Sequence, residues 1–391
     1  MSTGEINAQE DERITLLIGS GAQAIAHAEW VSYDVDSQML TPADGWSLAL
    51  TMQQAKVPSV IQSGAPVQLK MGNDVVMTGR VDDVDSTVSK GGTSLAIKGR
   101  DDIGQLLDCS APIFGEQHLT LEGVVAKIVK PLGLTKIDVQ GASTAPKRDK
   151  IIIQPGESGW EALVHAVEAA GMWPWMEPDG TLTIGGPNYS LPPVAMLAHR
   201  IQGGEQNNVL SVQVSNSMAR SYSEVTVLAQ SHGGGEGRKT ANVKAAWQDP
   251  SVTFYRPKIV IDHEIENVAM GQERAKKLVT DARLERWTCT LTLRGHRINC
   301  PGWPGHGQPW RANVRVHLVD ESHGLDGIYY VIGRRMTGGR DRPKTTTLTL
   351  KEDGAWIVAA HPHKRRNHRK SAGPGEVWDA SHGADPVKGA S

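Results

Sequence analysis

Two distant stretches of this 391-residue chain read as the same strand: Trp46-Ser47-Leu48-Ala49-Leu50-Thr51 and Trp287-Thr288-Cys289-Thr290-Leu291-Thr292. The likeness runs on in order. Gly64-Ala65-Pro66 precedes one strand as Gly307-Gln308-Pro309 precedes another, Thr78-Gly79-Arg80 answers Ile332-Gly333-Arg334, and Ser94-Leu95-Ala96-Ile97-Lys98 answers Thr347-Leu348-Thr349-Leu350-Lys351. Short strands with glycine turns also resemble one another by chance, and each match is weak alone. The order and the similar intervals carry the inference of one β unit used twice. Two copies are too few for a solenoid, which usually needs three or more. A ring suits them better: a trimer would present six similar faces, matching a six-fold partner on one side and a three-fold partner on the other.

Around these landmarks the first hundred residues carry alternating or β-branched runs, as in Val67 to Met71 and Val75 to Thr78, with a hairpin turn at Gly72-Asn73-Asp74 and another at Gly91-Gly92. That pattern predicts an antiparallel barrel or sandwich. The period changes at Thr120. Leu121, Val124, Val125, Ile128 and Val129 form one helical stripe, stopped by Pro131 and Gly133. A second helix opens at Ser158 with a capping box to Glu161, buries Trp160, Leu163, Val164 and Val167, and ends at Gly171. Met172 to Met176, Pro178-Asp179-Gly180 and Thr181 to Ile184 read as strand, turn, strand. The Pro/Gly-rich passage from Gly185 to Gly204 reads as a linker, and strands return near Val209. A third helix spans Asn267 to Arg286, with Asn267 as N-cap, Ala275, Leu278, Val279 and Ala282 on one face, and a Glu273/Lys277 pair.

The expected fold class is therefore mixed β and α+β. Two similar antiparallel β-barrel domains, residues 1–105 and 206–356, flank a small α+β helix-hairpin domain with its linker at 106–205. The second barrel carries the helical insertion around 267–286, and 357–391 form a basic flexible tail. An apolar share of 39% with a net charge of −2 argues against both a disordered chain and a whole-chain nucleic-acid binder. Near-neutrality is an average: residues 361–391 hold six Lys or Arg against three Asp or Glu, leaving 35 against 40 before them. No membrane span or signal peptide is readable, and three cysteines, Cys109, Cys289 and Cys300, fit a reducing compartment, so assembly in a host cytoplasm is expected.

Motifs that carry chemistry are scarce. Gly233-Gly234-Gly235-Glu236-Gly237-Arg238-Lys239-Thr240 lacks the Gly-Lys-Ser/Thr ending of a phosphate loop and reads as a hairpin tip. Cys289, His296, Cys300 and His306 fit no paired metal-ligand spacing. No nucleophile elbow occurs, and the carboxylate pairs Asp82-Asp83 and Asp101-Asp102 sit at strand ends, where solvated charge is the ordinary reading. No catalytic, cofactor or metal residue is assigned. Trp173, Trp175 and Trp356 read as core, whereas Trp303 and Trp310, in a Pro/Gly-rich segment, are candidate partner contacts. So are Lys364, Arg365, Arg366, Arg369 and Lys370 in the tract His361 to Lys370, which lacks interleaved aromatics and suits an acidic protein groove at least as well as DNA.

Three stretches resemble the Mu-type baseplate hub proteins of contractile-tail phages, relatives of the hub portion of type VI secretion spikes: Gln154-Pro155-Gly156-Glu157-Ser158-Gly159-Trp160-Glu161-Ala162-Leu163, Ala170-Gly171-Met172-Trp173, and Asp179-Gly180-Thr181-Leu182-Thr183-Ile184. Trp310 with Ala312 to Val316, Gly327 to Ile332, and Thr347 to Leu350 is similar to that family's second barrel. The resemblance runs from about Ile14 to Trp356. It implies a non-enzymatic homotrimeric hub in the virion tail baseplate, joining the tail tube or its initiator to the central spike, touching other baseplate proteins, and enclosing the channel through which DNA passes as cargo. It implies no cofactor and no membrane insertion. From other classes, a cell-wall-degrading tail enzyme or a DNA binder acting through the basic tail remain alternatives.

Overall fold

A computed structural model describes residues 12–19, 25–52, 57–90, 92–116, 120–140, 151–152, 156–168, 172–202, 207–230, 242–262, 265 and 268–356. The Asn267 and Gly171 caps, the Gly233 to Thr240 tip and the basic tract from His361 lie outside the described residues. The first β region comprises β1 (Ile14–Ile18), β2 (Ile25–His27), β3 (Ser32–Gln38), β4 (Gly45–Met52), β5 (Pro66–Met71), β6 (Asp74–Ser89) and β7 (Gly92–Asp101). Alternation sets the strands: β1 and β7 bury every second residue, which turns one face of each to the core. The β5–β6 hairpin turns at Gly72-Asn73, where Gly72 takes φ 58°.

Next come α1 (Ile103–Asp108), β8 (Gly115–Glu116), α2 (Leu121–Val129), β9 (Ile137–Val139), β10 (Ile151–Ile152), α3 (Gly159–Glu168), β11 (Trp173–Met176) and β12 (Leu182–Gly185). Thr120 caps α2 by accepting the Gly123 N–H at 3.2 Å, and all five residues of the predicted stripe are buried. Each such aliphatic side chain contributes about 1.5–3 kcal/mol relative to exposure. A 3-10 turn over Lys130–Leu132 and left-handed Gly133 (φ 95°) end α2. The capping box is formed: Glu161 Oε2 accepts from Ser158 N at 2.9 Å, while Ser158 Oγ accepts from Glu161 N at 3.2 Å. Helices α1, α2 and α3 pack with β9, β11 and β12 around their own core.

The chain continues through β13 (Met196–His199), β14 (Val209–Asn216), β15 (Glu224–Gln230), β16 (Asn242–Gln248), β17 (Pro257–Ile261), α4 (Val268–Arg286), β18 (Trp287–Arg294), β19 (Val314–Asp320), β20 (Leu325–Gly339) and β21 (Arg342–Glu352). Three expectations change here. The linker from Gly185 to Gly204 contains β13, which pairs in parallel with β19. Strands β15, β16 and β17 do not join the second repeat. They form a separate sheet under α4, with Val225, Val227, Val243, Ala275 and Val279 in a core of their own, so the insertion is an α+β unit rather than a helix. Finally, Lys277 bonds forward to Asp281 rather than back to Glu273.

The repeat is real at the level of ladders. Leu48 faces Ile97 and Leu50 faces Leu95, as Cys289 faces Leu350 and Leu291 faces Leu348. Gly64 and Gly307 share a left-handed conformation at φ 83° and 80°. The Gly79-Arg80 match to Gly333-Arg334 is coincidental: Asp85 faces Ala96 and Gly333 faces Thr349, which makes Asp85 the rung equivalent of Gly333. The two repeats are not separate bodies. Antiparallel pairing of β3 with β20 merges them into one sheet ordered β14-β18-β21-β20-β3-β4-β7-β6-β5-β1-β2, over one core running from Ile14 to Leu350. Among the described residues no ring of strands closes. In the second repeat a clasp stands where a ladder would: Asn208 donates its N–H to Ala198 O at 3.2 Å, and its side chain accepts from Ala198 N and donates to Met196 O, each at 2.9 Å.

Candidate functional site at the seam between the repeats

The β3–β20 ladder runs from Tyr33 opposite Gly338 to Gln38 opposite Gly333. Side chains lock it on both faces. Asp34 receives Arg335 through two guanidinium nitrogens on the outer face. On the inner face Tyr33 Oη lies 2.7 Å from His296 Nε2, His296 Nδ1 lies 3.0 Å from Thr346 Oγ1, and Thr346 Oγ1 donates to Gly295 O at 2.7 Å. Because the threonine proton goes to Gly295, its oxygen accepts from His296 Nδ1–H, and Nε2 accepts the tyrosine proton; the tautomer follows from the bonding. His296 is fully buried, and desolvation, with the charges of Arg334 and Lys344, pulls its pKa down to about 3, so it is neutral. Gly338 is required opposite Tyr33, since a Cβ there would lie 2.3 Å from Tyr33 Oη.

Arg334, beside this chain, is buried and donates to Val76 O at 2.9 Å across the seam. Its Nε is buried without a hydrogen-bond partner, and desolvation lowers its pKa against the pull of Asp44 and Asp36. Asp101 was read from the sequence as a solvated strand end, but β7 ends inside the junction with α1 and Asp101 is buried. It accepts from Ile103 N at 3.0 Å and from Asp44 N at 3.2 Å. Desolvation and the neighbouring Asp44 charge raise the Asp101 carboxyl well above its ordinary range, and desolvation lifts Asp44 to about 6. Asp82, by contrast, pairs with Arg100 at 2.7 Å.

Asp44, Asp101 and Arg334 line a partly open cleft where both repeats meet the β11–β12 turn; Trp175, Glu177 and Asn313 are among its other lining residues, and the space it leaves for water is about 40 Å³. That is room for about three waters and well below the volume of a typical small-molecule site. A further cluster of Met39, Trp175, Leu284, Tyr330, Ile332 and Trp356 ties the first repeat, the middle domain, α4 and the second repeat together. The arrangement is one of packing and shared protons.

Of the sequence-derived contacts, Trp310 is only 2% exposed and belongs to the repeat core, its N–H bonded to His296 O, so it offers no outer surface. Trp303 is half-buried against the same core. Lys364, Arg365, Arg366, Arg369 and Lys370 lie outside the described residues. Among the described residues no group of three or more His, Cys, Asp or Glu side chains is disposed to hold a metal. Both His296 nitrogens are already bonded, and Cys300 Sγ contacts Met196 O at 3.2 Å. No described helix is long and apolar enough to cross a membrane. Sequence reading missed Tyr33, Asp44, His296 and Arg334 as partners because they come from separate strands and loops; only the repeat pointed to a seam.

Four family models match in series: the N-terminal domain of Mu phage baseplate assembly protein GpP-like proteins over 13–101, the second domain of baseplate hub protein gp44-like proteins over 103–186, the third domain of NMB1110-like tail proteins over 221–279, and a tail-protein C-terminal domain over 281–355. Baseplate hub protein gp44 of Escherichia phage Mu is 24% identical over 364 residues, covering 88% of this chain and 90% of gp44. The tail protein from Neisseria meningitidis MC58 is 32% identical with a TM-score of 0.71, covering 88% of this chain and 97% of that one. The 43 kDa tail protein of prophage MuSo2 from Shewanella oneidensis matches at 20% identity with a TM-score of 0.76, over 88% and 99% of the two chains. With one β unit used twice, a helix-hairpin domain between and an inserted α+β unit matching in this order, the chain belongs to the Mu-type baseplate hub proteins of contractile phage tails.

Proposed function

We propose that this hub is a trimeric ring that adapts the six-fold tail tube to the three-fold central spike and encloses the DNA exit channel. One observation carries the reading: two ladder-equivalent β units are merged in one chain by β3 and β20. Three such chains present six like units to a tube and three of everything else to a spike. In this scheme the first repeat at 1–105 and the second repeat, which is the 206–356 region without the unit under α4 but with β13 added, form barrel-like ring segments, and the helix-hairpin domain and the unit under α4 decorate them. Trp303 and the basic residues Lys364, Arg365, Arg366, Arg369 and Lys370 are contacts for tail partners in this scheme. The role is structural and set in the virion tail after assembly in the host cytoplasm.

The acid pair Asp44 and Asp101 favours a second reading, a cell-wall-degrading enzyme, since closely spaced carboxyls with raised pKa values are an acid/base signature. The small cleft and the use of Asp101 in holding Ile103 and Asp44 backbone groups weigh against it. Negative-stain averages of the purified chain and peptidoglycan zymography separate the two. Three-fold rings without clearing support the hub, and clearing abolished by Asp44→Asn supports the enzyme.

A further inference from the structure

The repeat has an unmatched half on each side of the molecule. Within the chain, the outer half of β20 covers the free edge of β3, with Met336 opposite Val35. Ladder equivalences locate the corresponding pieces. Val35 faces Trp46, and Asn216 faces Trp287, so Asn216 in β14 occupies the place of Val35. Met336 faces Thr346, which faces Leu293; Val88 faces Thr93, which faces Met52. Val88 in β6 therefore occupies the place of Met336. Thr93 and Thr346 are both buried, as equivalent rungs should be.

These equivalent positions differ sharply in cover. Met336 is 0% exposed and Val88 65%. Beyond Val81, no described strand pairs with the side of β6 facing away from β7, and no described strand pairs with the side of β14 facing away from β18. The β14 edge, Val209-Leu210-Ser211-Val212-Gln213-Val214-Ser215-Asn216, has no charge and no proline, the devices that normally keep an edge strand from pairing. It is a strand made to be covered.

We infer that the outer half of β6 in one copy pairs antiparallel with the β14 edge of the next copy, repeating between chains the β20–β3 contact made within each. The in-chain ladder fixes the register: Val88 opposite Asn216, Ser89 opposite Ser215, Lys90 opposite Val214. The Arg335–Asp34 ion pair of the in-chain seam is replaced by Thr87 and Ser215, so no like charges meet. Each copy has one β6 half and one β14 edge at different places in its sheet, so the contact is head-to-tail, and it closes a ring when three equal steps complete a full turn without rise. The inference rests on the ring proposed above and supplies its contact.

Paired cysteines test it in the full chain. Val88→Cys with Asn216→Cys should, under mild oxidation, give non-reducing gel bands at two and three chain masses, reversed by thiol; each single substitution should stay at the low background of Cys109, Cys289 and Cys300. A pair two residues out of register, Val88→Cys with Val214→Cys, should cross-link at least tenfold more slowly. Val88→Glu, at an exposed position where folding is undisturbed, should lower the oligomer fraction at least tenfold with unchanged circular dichroism. If the wild type is trimeric but neither the double cysteine nor Val88→Glu has these effects, this contact is wrong and the ring stands. If the wild type is monomeric at all concentrations, both fall.

Discussion

Replacing Tyr33 by Phe removes one oxygen from the seam and nothing from its packing. The hydroxyl donates to His296 Nε2 at 2.7 Å in the core, and no other described group bonds that nitrogen. Its net hydrogen bond is worth about 1 kcal/mol, and a buried acceptor left without a donor costs about 1–3 kcal/mol. Tyr33→Phe should therefore destabilise by about 1–3 kcal/mol in urea unfolding monitored by tryptophan fluorescence. Thr346→Val strands the other nitrogen and should cost a similar amount. Because both act through one imidazole, their double mutant should fall short of additivity by at least about 0.5 kcal/mol. Acid sharpens the test. His296 is protonated in the unfolded chain near its ordinary pKa of 6.5 but only near 3 when folded. Between those values the unfolded state binds more protons, so this contribution to stability is present above pH 6.5 and lost as pH falls toward 3. Freeing Nε2 makes it easier to protonate in place, so Tyr33→Phe should lose less stability on acidification than wild type over that interval. A cost below about 0.3 kcal/mol, or strict additivity with Thr346→Val, would refute the network.

Other expectations follow from single contacts. Asp44 holds its proton up to about pH 6 when folded and releases it near 3.8 when unfolded, so its contribution falls as pH rises between them; Asp44→Asn should raise the melting temperature at pH 8 and have little effect at pH 4. Equal effects at both pH values would show that Asp44 is charged and satisfied. Gly99→Ala should cost at least about 2 kcal/mol in chemical denaturation, because its Cβ would lie 2.0 Å from Arg80 O and 2.5 Å from the Trp46 ring. Ser158→Ala should cost about 0.5–2 kcal/mol through loss of the α3 cap, and Ser158→Asp should recover most of it.

Periodic and punctuated features were legible from sequence: the α2 stripe, the Ser158–Glu161 box and the Gly72-Asn73 turn depend on residues near one another in the chain. The repeat was legible too, since Trp46 and Trp287 mark equivalent rungs. What eluded the sequence is set by long-range pairing. β13 hides in a proline-rich passage because a short strand in parallel pairing with β19 needs no alternation. The unit built from β15, β16, β17 and α4 shares the second repeat's strand composition and separates only by its pairings. Asp101 looked like a solvated strand end because burial there depends on α1 and the Asp44 loop, and the seam joins Tyr33 to His296 across most of the chain. Trp310 sits in a largely exposed Pro/Gly-rich segment with the composition of an interface, yet its own side chain turns into the repeat core.

Light scattering of the full chain, over a concentration series at physiological salt, tests the central claim most directly. The account predicts a species of three chain masses that persists on dilution, with the double cysteine Val88→Cys/Asn216→Cys locking it covalently. A single chain mass at every concentration would contradict it.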